Sequence, residues 1–301
     1  MNPLGGARKI LVTGDRGQLG CRVINTIANA EVVTASSCEL DLRDSLNCAS
    51  ILDRVQPDVI INCAAYTAVD DAEHDQHTAF AVNADGPKTL ASWSAANDCH
   101  LVHVSTDYVF SGSKPLFESY LESDATGPVS IYGKSKLLGE ENIRQQDNLQ
   151  YSILRTAWLY GAQGRNFLKT MLRLVIKQPE REFKVVSDQF GSPTSADSLT
   201  RAILGVVDNA ACGTFHATSH GYCSWFELAC EFFAGLGIEH RLAPCTTAEY
   251  PTAARRPANS ILANARLNEL DLDFFMHWRD DLALFIESYG SVLIDEAKAT
   301  R

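Results

Sequence analysis

The chain has 301 residues, of which 46% are apolar and 21% charged, as in an ordinary soluble globular protein large enough for two lobes. Its 37 acidic side chains outnumber the 26 basic ones, and a surface with net charge −11 repels the phosphate backbone of nucleic acids. No apolar stretch approaches the roughly 18 residues of a membrane span, and none precedes the first predicted strand. We therefore expect a cytoplasmic protein that binds neither nucleic acid nor membrane.

The nine cysteines are an odd number and include no Cys-x-x-Cys pair. They fit neither a disulfide framework nor a zinc site, so we interpret them as small buried hydrophobes in a reducing compartment. His74 and His77 lack a companion ligand motif, and we expect no metal there.

A short apolar run over residues 10–13 ends at a glycine-rich turn and passes into an amphipathic pattern through Val23, Ile24 and Ile27. This order predicts a strand, a turn and a helix. Glycines let the backbone approach a pyrophosphate closely, and free N–H groups at a helix start attract its charge. A plain tight turn is the alternative, but the position at the first strand favours a dinucleotide site. The candidate residues are Gly14, Arg16, Gly17, Gln18, Leu19 and Gly20.

The next predicted strand, residues 31–35, should end beside the adenosine ribose of the cofactor. An acidic residue there would bind the 2′-hydroxyl of NADH, and a basic one the 2′-phosphate of NADPH. Ser36 is neutral and small, while Arg16 in the glycine turn could reach that phosphate, so we expect NADPH, with NADH as the alternative. Asp41 and Leu42 follow at a spacing suited to contact with the adenine.

Two later strands should carry ligand-binding residues at their carboxyl ends. Residues 58–65 form an apolar run typical of a strand buried in a parallel sheet, and Ala64 and Ala65 leave room for a ligand. A long helix is predicted over residues 72–96, and a strand over residues 100–104.

The strand at residues 100–104 leads into three hydrogen-bonding side chains, Ser105, Thr106 and Asp107. They lie where open α/β sheets place their active sites. A turn that caps the strand is the structural alternative.

Tyr132 and Lys136 stand four residues apart at the start of a predicted helix, so their side chains share one face. A nearby ammonium favours the ionised form of a phenol, so Lys136 could lower the pKa of Tyr132 towards the range of general acid–base chemistry. The alternative is that Tyr132 covers its own helix and that Lys136 is solvated.

The second half of the chain continues the alternation of strands and helices. Strands are predicted over residues 151–160, 183–186 and 213–217, helices over 166–176 and 195–208, and a loop over 188–194. Ser224 and Glu227 have the spacing of a capping box at the start of a further helix.

Arg255 and Arg256 are the only adjacent arginines in the chain. They provide the local positive charge that an acidic protein needs to bind a nucleotide-sugar pyrophosphate, although a surface loop is the alternative. We select Arg256 as the contact, because Pro257 restricts the backbone just before it and so fixes the direction of that side chain.

These motifs occur in series almost from end to end, and the chain resembles the dTDP-4-dehydrorhamnose reductases of the extended short-chain dehydrogenase/reductase superfamily. The resemblance implies that Tyr132 is the proton donor, that Lys136 holds the nicotinamide ribose and tunes the phenol, and that Thr106 binds the substrate oxygen. It also implies a sugar pocket lined by Asp107, Tyr108 and Trp158, and a cofactor lying along Ala64, Ala65, Tyr66 and Asn83.

The expected fold is α/β, a doubly wound parallel sheet of the Rossmann type with a smaller C-terminal substrate lobe. We assign residues 1–160 to the dinucleotide-binding domain, with 195–218 returning to it, and residues 161–194 and 219–301 to the lobe. The expected reaction is NADPH-dependent reduction of the C4 keto group of a dTDP-4-keto-6-deoxy sugar, from dTDP-4-dehydrorhamnose to dTDP-L-rhamnose.

Two other functions remain open on the same fold. One is a sugar-nucleotide epimerase or dehydratase, although a dehydratase should carry Glu after the Thr-Asp pair, where this chain has Tyr108. The other is a non-catalytic NADP-binding subunit similar to the regulatory β subunit of methionine adenosyltransferase. We expect a monomer or homodimer without a bridging metal, because Arg22 stands where some relatives place an acidic magnesium-binding residue.

Overall fold

A computed structural model describes residues 8–299, and the segment before the first strand lies outside them. Up to residue 160 the described chain alternates strands with helices. Its elements are β1 (Arg8–Thr13), α1 (Gln18–Thr26), β2 (Ala30–Ala35), α2 (Ser45–Val55), β3 (Val59–Asn62), α3 (Val69–Ala72), α4 (Gln76–Phe80), a π-helical segment (Ala81–Asp85), α5 (Gly86–Ala96), β4 (His100–Thr106), a 3₁₀ turn (Asp107–Val109), α6 (Ile131–Arg144), β5 (Tyr151–Thr156) and β6 (Leu159–Tyr160).

The remainder of the described chain has longer helices and very short strands. Its elements are α7 (Phe167–Lys177), β7 (Phe183–Val186), β8 (Phe190–Gly191), β9 (Thr194–Ser195), α8 (Ala196–Asp208), β10 (Gly213–His216), β11 (Cys223–Ser224), α9 (Trp225–Leu236), β12 (Leu242–Cys245), a 3₁₀ turn (Thr247–Glu249), α10 (Ala265–Glu269) and α11 (Trp278–Ala299).

Six strands form one parallel sheet in the order β10, β5, β4, β3, β1, β2. The chain runs outward from β1 to β2, then returns past β1 to β3 and continues in the other direction. The predicted doubly wound parallel sheet is therefore confirmed. The reversal between β1 and β3 is the switch point at which open α/β sheets bind ligands.

Alternate side chains of the strands pack into two layers, one on each face of the sheet. Ile10 and Val12 join the core under α1 and α8, while Leu11 and Ile60 join the core under α2 and α5. All four are almost fully buried. Because both faces of the sheet are covered, consecutive residues of these strands are apolar.

A third core lies outside the sheet, among α7, α9 and α11, and contains Leu172, Phe233 and Trp278. Apart from Tyr160, its buried residues come from the segments that we assigned to the substrate lobe, whereas α8 packs on the sheet beside α1. The division of the chain into lobes stays a prediction.

The predicted helix over residues 72–96 is wrong as a single element. α3 ends at Ala72, and the chain starts again at α4, where the Asp75 side chain accepts a hydrogen bond from the Thr78 N–H. An Asx cap of this kind competes with helix continuation, which the apolar periodicity alone does not reveal.

The predicted strand over residues 151–160 is also interrupted. Trp158 has φ 46°, a left-handed conformation that ends the pairing of β5. The chain therefore leaves the main sheet, and β6 pairs with β9 instead. The predicted strand over residues 58–65 is paired only from Val59 to Asn62.

All nine cysteines are free thiols. Cys38 and Cys212 are exposed, so the interpretation of the cysteines as buried hydrophobes is wrong for these two. Within residues 8–299 no helix is both long and apolar enough to cross a membrane, and no group of three His, Cys, Asp or Glu side chains is arranged to hold a metal ion.

Candidate active site

The glycine turn lies at the carboxyl end of β1, directly against the segment that follows β3. Gly14 has φ 70°, and a Cβ there would stand 2.8 Å from the backbone nitrogen of Ala64. A Cβ on Gly20 would collide with the carbonyl oxygen of Gly14. Both positions therefore need glycine, one for its backbone conformation and both for close packing.

The start of α1 fits a pyrophosphate. Gly17 is the N-cap and supplies no side-chain oxygen for the first N–H groups of the helix. Such N–H groups carry the positive end of the helix dipole, and anions bind there readily. Two of the predicted cofactor-binding residues direct their side chains to other parts of the protein. The Leu19 side chain is buried in the core, and Gln18 Nε2 donates to Leu159 O at 3.3 Å. These two residues offer the site only their backbone.

The end of β2 is the position at which the adenosine ribose is expected. Arg16 is exposed on the glycine turn, close enough to Glu39 for its charge to contribute to the lowered pKa of that carboxyl. The principal cause of that lowering is the hydrogen bond from the Ser36 N–H to Glu39 Oε2, at 3.0 Å, which the Ser36 hydroxyl supplements at 2.8 Å. The carboxylate at this edge comes from Glu39, which the sequence analysis did not consider.

Asp41 and Leu42 are occupied by contacts with the protein. The Asp41 carboxylate accepts two hydrogen bonds from Arg43 Nε, at 2.9 and 3.0 Å, and one from its Nη2, at 2.7 Å. Leu42 is buried in the core and packs against Gly86. Contact of these two residues with the adenine stays a prediction.

Ala64, Ala65 and Tyr66 form a half-buried segment beside the glycine turn. Asn83, in the π-helical segment, holds this segment from behind: Oδ1 accepts from the Tyr66 N–H at 2.8 Å and Nδ2 donates to the Tyr66 carbonyl at 3.0 Å. The Asn83 amide also donates to Ser135 Oγ. Asn83 therefore positions this segment, and contact of Asn83 or of the segment with the cofactor stays a prediction.

Tyr132 lies in the first turn of α6, which Ser130 caps by accepting from the Gly133 N–H at 3.1 Å. Its side chain is 9% exposed, and the Tyr108 ring meets it edge-on at 5.5 Å. Burial raises the pKa of the phenol, and a hydrogen bond with Thr106 offsets this only in part. Tyr132 is therefore a neutral phenol near neutral pH, which is the state that donates a proton.

Lys136 is buried on α6, one helical turn from Tyr132. Its Nζ lies 2.7 Å from the Val104 carbonyl oxygen and 3.2 Å from His103 Nε2, and the side chain is 1% exposed. Burial lowers the pKa of Lys136 to about 8. The net shift of the Tyr132 pKa is upward, with burial as its largest cause, and tuning of the phenol by Lys136 stays a prediction.

Thr106 and Asp107 end β4 beside Tyr132. The Thr106 hydroxyl donates to Asp107 Oδ1 at 2.9 Å and accepts from the Tyr108 N–H at 3.2 Å. Asp107 is 2% exposed, and burial raises its pKa to about 6. The predicted alternative, a turn that caps the strand, is therefore present, and a site role for Thr106 stays a prediction. Ser105 points elsewhere and donates to Glu140 at 2.6 Å.

Arg256 reaches across to the N-terminal half of the chain. Its Nη1 donates to the Tyr108 hydroxyl at 3.1 Å, and its Nη2 pairs with Asp70 at 2.7 Å. Arg255 is exposed. Arg256 is thus half-buried and paired, whereas its neighbour is exposed.

A cavity of about 310 Å³ opens between α7, β7 and the loop that carries Arg256. Trp225 lines it, and the Trp225 ring stacks on Trp158 with centroids 3.6 Å apart and an angle of 6° between the planes. Sequence analysis named Trp158 but missed Trp225, whose only signal was its position beside the cap residue Ser224.

A buried ion pair lies behind the site and also escaped the sequence analysis. Glu140 on α6 accepts from Arg155 Nη2 at 2.7 Å and from Nε at 2.9 Å, and both side chains are almost fully buried. The sequence held two signals for this pair: Arg155 is a charged residue in an otherwise mostly apolar strand, and Glu140 lies four residues after Lys136.

Comparisons with known proteins show which family this chain resembles. Over residues 8–291 the chain matches the family described as RmlD substrate binding domain. It is 40% identical over 266 residues to the dTDP-4-dehydrorhamnose reductase of Sinorhizobium fredii, covering 84% of this chain and 88% of that protein. It is 36% identical over 271 residues to a dTDP-4-keto-6-deoxy-D-glucose reductase of Streptomyces niveus, covering 89% and 93%.

A solved structure agrees over nearly the whole length. The crystal structure of the Bacillus anthracis dTDP-4-dehydrorhamnose reductase in complex with NADP has a TM-score of 0.90 at 35% identity, and the match covers 94% of this chain and 99% of that one. The sequence resemblance to this family is confirmed. The chain belongs to the dTDP-4-dehydrorhamnose reductase family.

Proposed function

We propose that this protein is an NADPH-dependent reductase that converts the C4 keto group of dTDP-4-dehydrorhamnose to the hydroxyl of dTDP-L-rhamnose. The observation that carries the proposal is the position of Tyr132. A neutral phenol lies at the carboxyl edge of the sheet, beside Thr106 and across from a glycine turn built for a dinucleotide. Relatives at 36–40% identity are reductases of 4-keto sugar nucleotides.

NADPH would be held by residues from three strand ends. The backbone N–H groups at the start of α1 would hold the pyrophosphate, Arg16 the 2′-phosphate, and Lys136 the nicotinamide ribose. The unassisted N-cap at Gly17 and the close approach of Gly14 to Ala64 support this fit. The complex of the Bacillus anthracis relative with NADP supports the same choice of cofactor. When bound, NADPH supplies the hydride.

Tyr132 would donate its proton to the substrate O4 as the negative charge develops there. Its raised pKa keeps the proton on the phenol until that charge appears. Thr106, already within reach of the Tyr132 hydroxyl, would turn its O–H from Asp107 to the same oxygen. Lys136, one turn further along α6, stabilises the phenolate that remains.

The dTDP-sugar would extend from Tyr132 towards the 310 Å³ cavity. Arg256, which donates to the Tyr108 hydroxyl, lines this cavity, and so does Trp225, which stacks on Trp158. Arg suits a pyrophosphate because its planar group donates two parallel hydrogen bonds. The third hydrophobic core, among α7, α9 and α11, would then serve as the lobe that binds the nucleotide.

Incubation of the purified protein with dTDP-4-dehydrorhamnose tests the function, with NADPH and NADH compared through the absorbance of the reduced cofactor. We expect turnover with NADPH and dTDP-L-rhamnose as the product. The epimer dTDP-4-keto-6-deoxy-D-glucose is the matched substrate, because the Streptomyces niveus relative carries that name. Binding of NADPH without reduction of either sugar would favour the non-catalytic subunit instead.

A further inference from the structure

Three polar side chains form a row across the interior of the sheet. Thr13 on β1, Asn62 on β3 and His103 on β4 are direct neighbours in register, since Thr13 pairs with Asn62 and Asn62 with His103. All three are buried, with exposures of 1%, 0% and 0%. Each directly follows a fully buried apolar residue of its strand, so hydrogen bonding and not apolar packing accounts for the row.

The row ends at Lys136. Asn62 Oδ1 accepts from the Thr13 hydroxyl at 2.6 Å, and Asn62 Nδ2 lies 2.9 Å from His103 Nδ1. The opposite ring nitrogen, Nε2, lies 3.2 Å from Lys136 Nζ. The Val104 carbonyl oxygen accepts from the same Nζ at 2.7 Å. Two of the three N–H directions of the ammonium are thus fixed by β4, and the third is left for the site.

The protonation of the ring decides what this contact does. An ammonium has no lone pair, so a charged Lys136 requires Nε2 to accept, and the neutral ring must then carry its proton on Nδ1. The Nδ1–H needs an oxygen from Asn62. A half-turn of the amide, which exchanges its oxygen and nitrogen at nearly the same positions, presents that oxygen and lets Nδ2 donate to Thr13. Without that half-turn, Nδ2 would donate to Nδ1 and the ring proton would lie on Nε2. The Nε2–H would then need a neutral amine at Lys136 as its acceptor.

We propose that His103 is a positioning residue for Lys136: its neutral ring, oriented by Asn62 and Thr13, accepts a hydrogen bond from the ammonium and holds it in the charged state. This proposal deepens the proposed reductase function and rests on it. Burial lowers the pKa of His103 well below its usual range, which keeps the ring neutral. The buried ammonium needs such an acceptor, because its own burial disfavours the charge.

Other ionisable groups also face Lys136. Glu140, on the same helix, favours the ammonium but is itself paired with Arg155. The Cys63 thiol follows β3, and burial raises its pKa to about 12, so it stays neutral over the range of interest. Tyr132, one turn back along α6, is also neutral. None of these groups accepts a hydrogen bond from Nζ among the described contacts, so His103 is the side-chain acceptor.

The first test replaces the ring by one of similar size without an acceptor. In His103→Phe, kcat should fall about tenfold or more, and the alkaline limb of the pH–rate profile should move to lower pH by roughly one unit, since the ammonium loses an acceptor. His103→Gln retains an acceptor oxygen and should restore part of both effects. The KM for the sugar should change little.

His100→Phe is the matched control. His100 lies on the same strand and is also buried, with Nε2 2.7 Å from Ser152 Oγ, but it is remote from Lys136. Loss of stability alone should be common to both Phe variants. A pH limb that moves equally in the two variants, or in neither, overturns the proposal.

Asn62→Asp keeps the His103 ring and should shift the alkaline limb of the pH–rate profile in the opposite direction. A carboxylate accepts from Nδ1–H, fixes Nε2 as the acceptor and adds negative charge, so the alkaline limb should move to higher pH. A shift to lower pH would contradict the proposal. This variant keeps the test decisive should His103→Phe fail to fold.

A spectroscopic test on the wild-type protein needs no turnover. With ¹⁵N-labelled histidine, the ring nitrogens of His103 should show a neutral ring protonated at Nδ1 across neutral pH, and a ring protonated at Nε2 would overturn the proposal. Failure of the reductase function would appear separately, as wild-type protein that reduces no 4-keto sugar nucleotide while its His103 signals still report the Nδ1 form.

Discussion

Arg256 and Asp70 form an ion pair at 2.7 Å between the C-terminal loop and the short helix that follows β3. The same guanidinium donates to the Tyr108 hydroxyl, and the Tyr108 ring meets Tyr132 edge-on. Two contacts therefore connect the arginine to the proposed proton donor. A charged side chain thus connects a loop far away in sequence to the site.

Arg256→Ala should raise the KM for the dTDP-sugar about 10- to 100-fold, because it removes a charged hydrogen bond worth about 1.5–3 kcal/mol. Steady-state kinetics with Arg255→Ala as the control measure this, since Arg255 is exposed and should be nearly silent. The Kd for NADPH should not change in either variant. Stability should fall little, because a partly exposed ion pair contributes only about 0–1 kcal/mol. Equal effects in the two variants would place the pyrophosphate elsewhere.

Tyr132→Phe should lower kcat by a factor on the order of 10²–10⁴, because proton donation acts only in the transition state. The Kd for NADPH should stay nearly constant. Tyr120→Phe is a suitable control, since Tyr120 is equally buried but lies in a separate apolar cluster. A Tyr132→Phe variant within threefold of wild type would sink the assignment.

Short-range patterns in the sequence predicted the parts of this molecule that depend on local geometry. The spacing of Tyr132 and Lys136 placed both on one turn of α6, and the apolar runs placed β1 and β3 in a buried sheet. The glycine turn was recognisable because φ 70° at Gly14 and the tight approach to Ala64 both demand glycine. The fold therefore followed from patterns within about 20 residues of each other.

The contacts that were missed join residues far apart in the chain. Gln18 reaches Leu159, Asn83 reaches Tyr66, and no periodicity reports such partners. Lys136 shows the consequence. Its spacing from Tyr132 suggested that the ammonium would lower the pKa of the phenol. Burial is instead the largest cause of the pKa shift of each residue, and burial depends on the whole sheet.

Arg16→Ala should weaken NADPH by about 1–2 kcal/mol and barely change NADH, since only NADPH has a 2′-phosphate to lose a charge-assisted hydrogen bond. Titration of each cofactor against both proteins measures this. Glu39→Gln is the companion variant: it removes a negative charge that lies close to Arg16 and should favour NADPH. Equal losses for both cofactors in Arg16→Ala would mean that Arg16 acts on the pyrophosphate or on folding.

Glu140→Gln should destabilise the fold by about 3 kcal/mol or more at neutral pH, because it leaves the Arg155 charge buried without its partner. Burial alone would raise the pKa of Glu140, but Arg155, Ser105 and Arg144 together hold it below the usual 4.5. This stabilisation is present above the unfolded pKa and is lost as the pH falls through the folded one. Chemical denaturation should therefore show a gap between wild type and variant that is constant near neutrality and narrows below pH 4.5.

The exposed pair between Glu231 and Arg279 provides the control for that measurement. Glu231→Gln removes the same charge where solvent screens it, so its effect should stay within about 1 kcal/mol. A Glu140→Gln variant as stable as this control would mean that the buried pair contributes nothing net.

Asp107 should show the opposite dependence on pH. Its burial raises the pKa from 3.8 to about 6, so folding favours the protonated carboxyl. The contribution is fully present below the unfolded pKa and is lost as the pH rises through the folded one. Asp107→Asn, which resembles the protonated acid, should gain on the order of 2–3 kcal/mol relative to wild type between pH 4 and pH 7. Denaturation midpoints of the two proteins across that range measure the gain. A gap that does not change with pH would mean that Asp107 titrates normally, and the buried carboxyl beside Thr106 would then be ionised throughout the working range of the site.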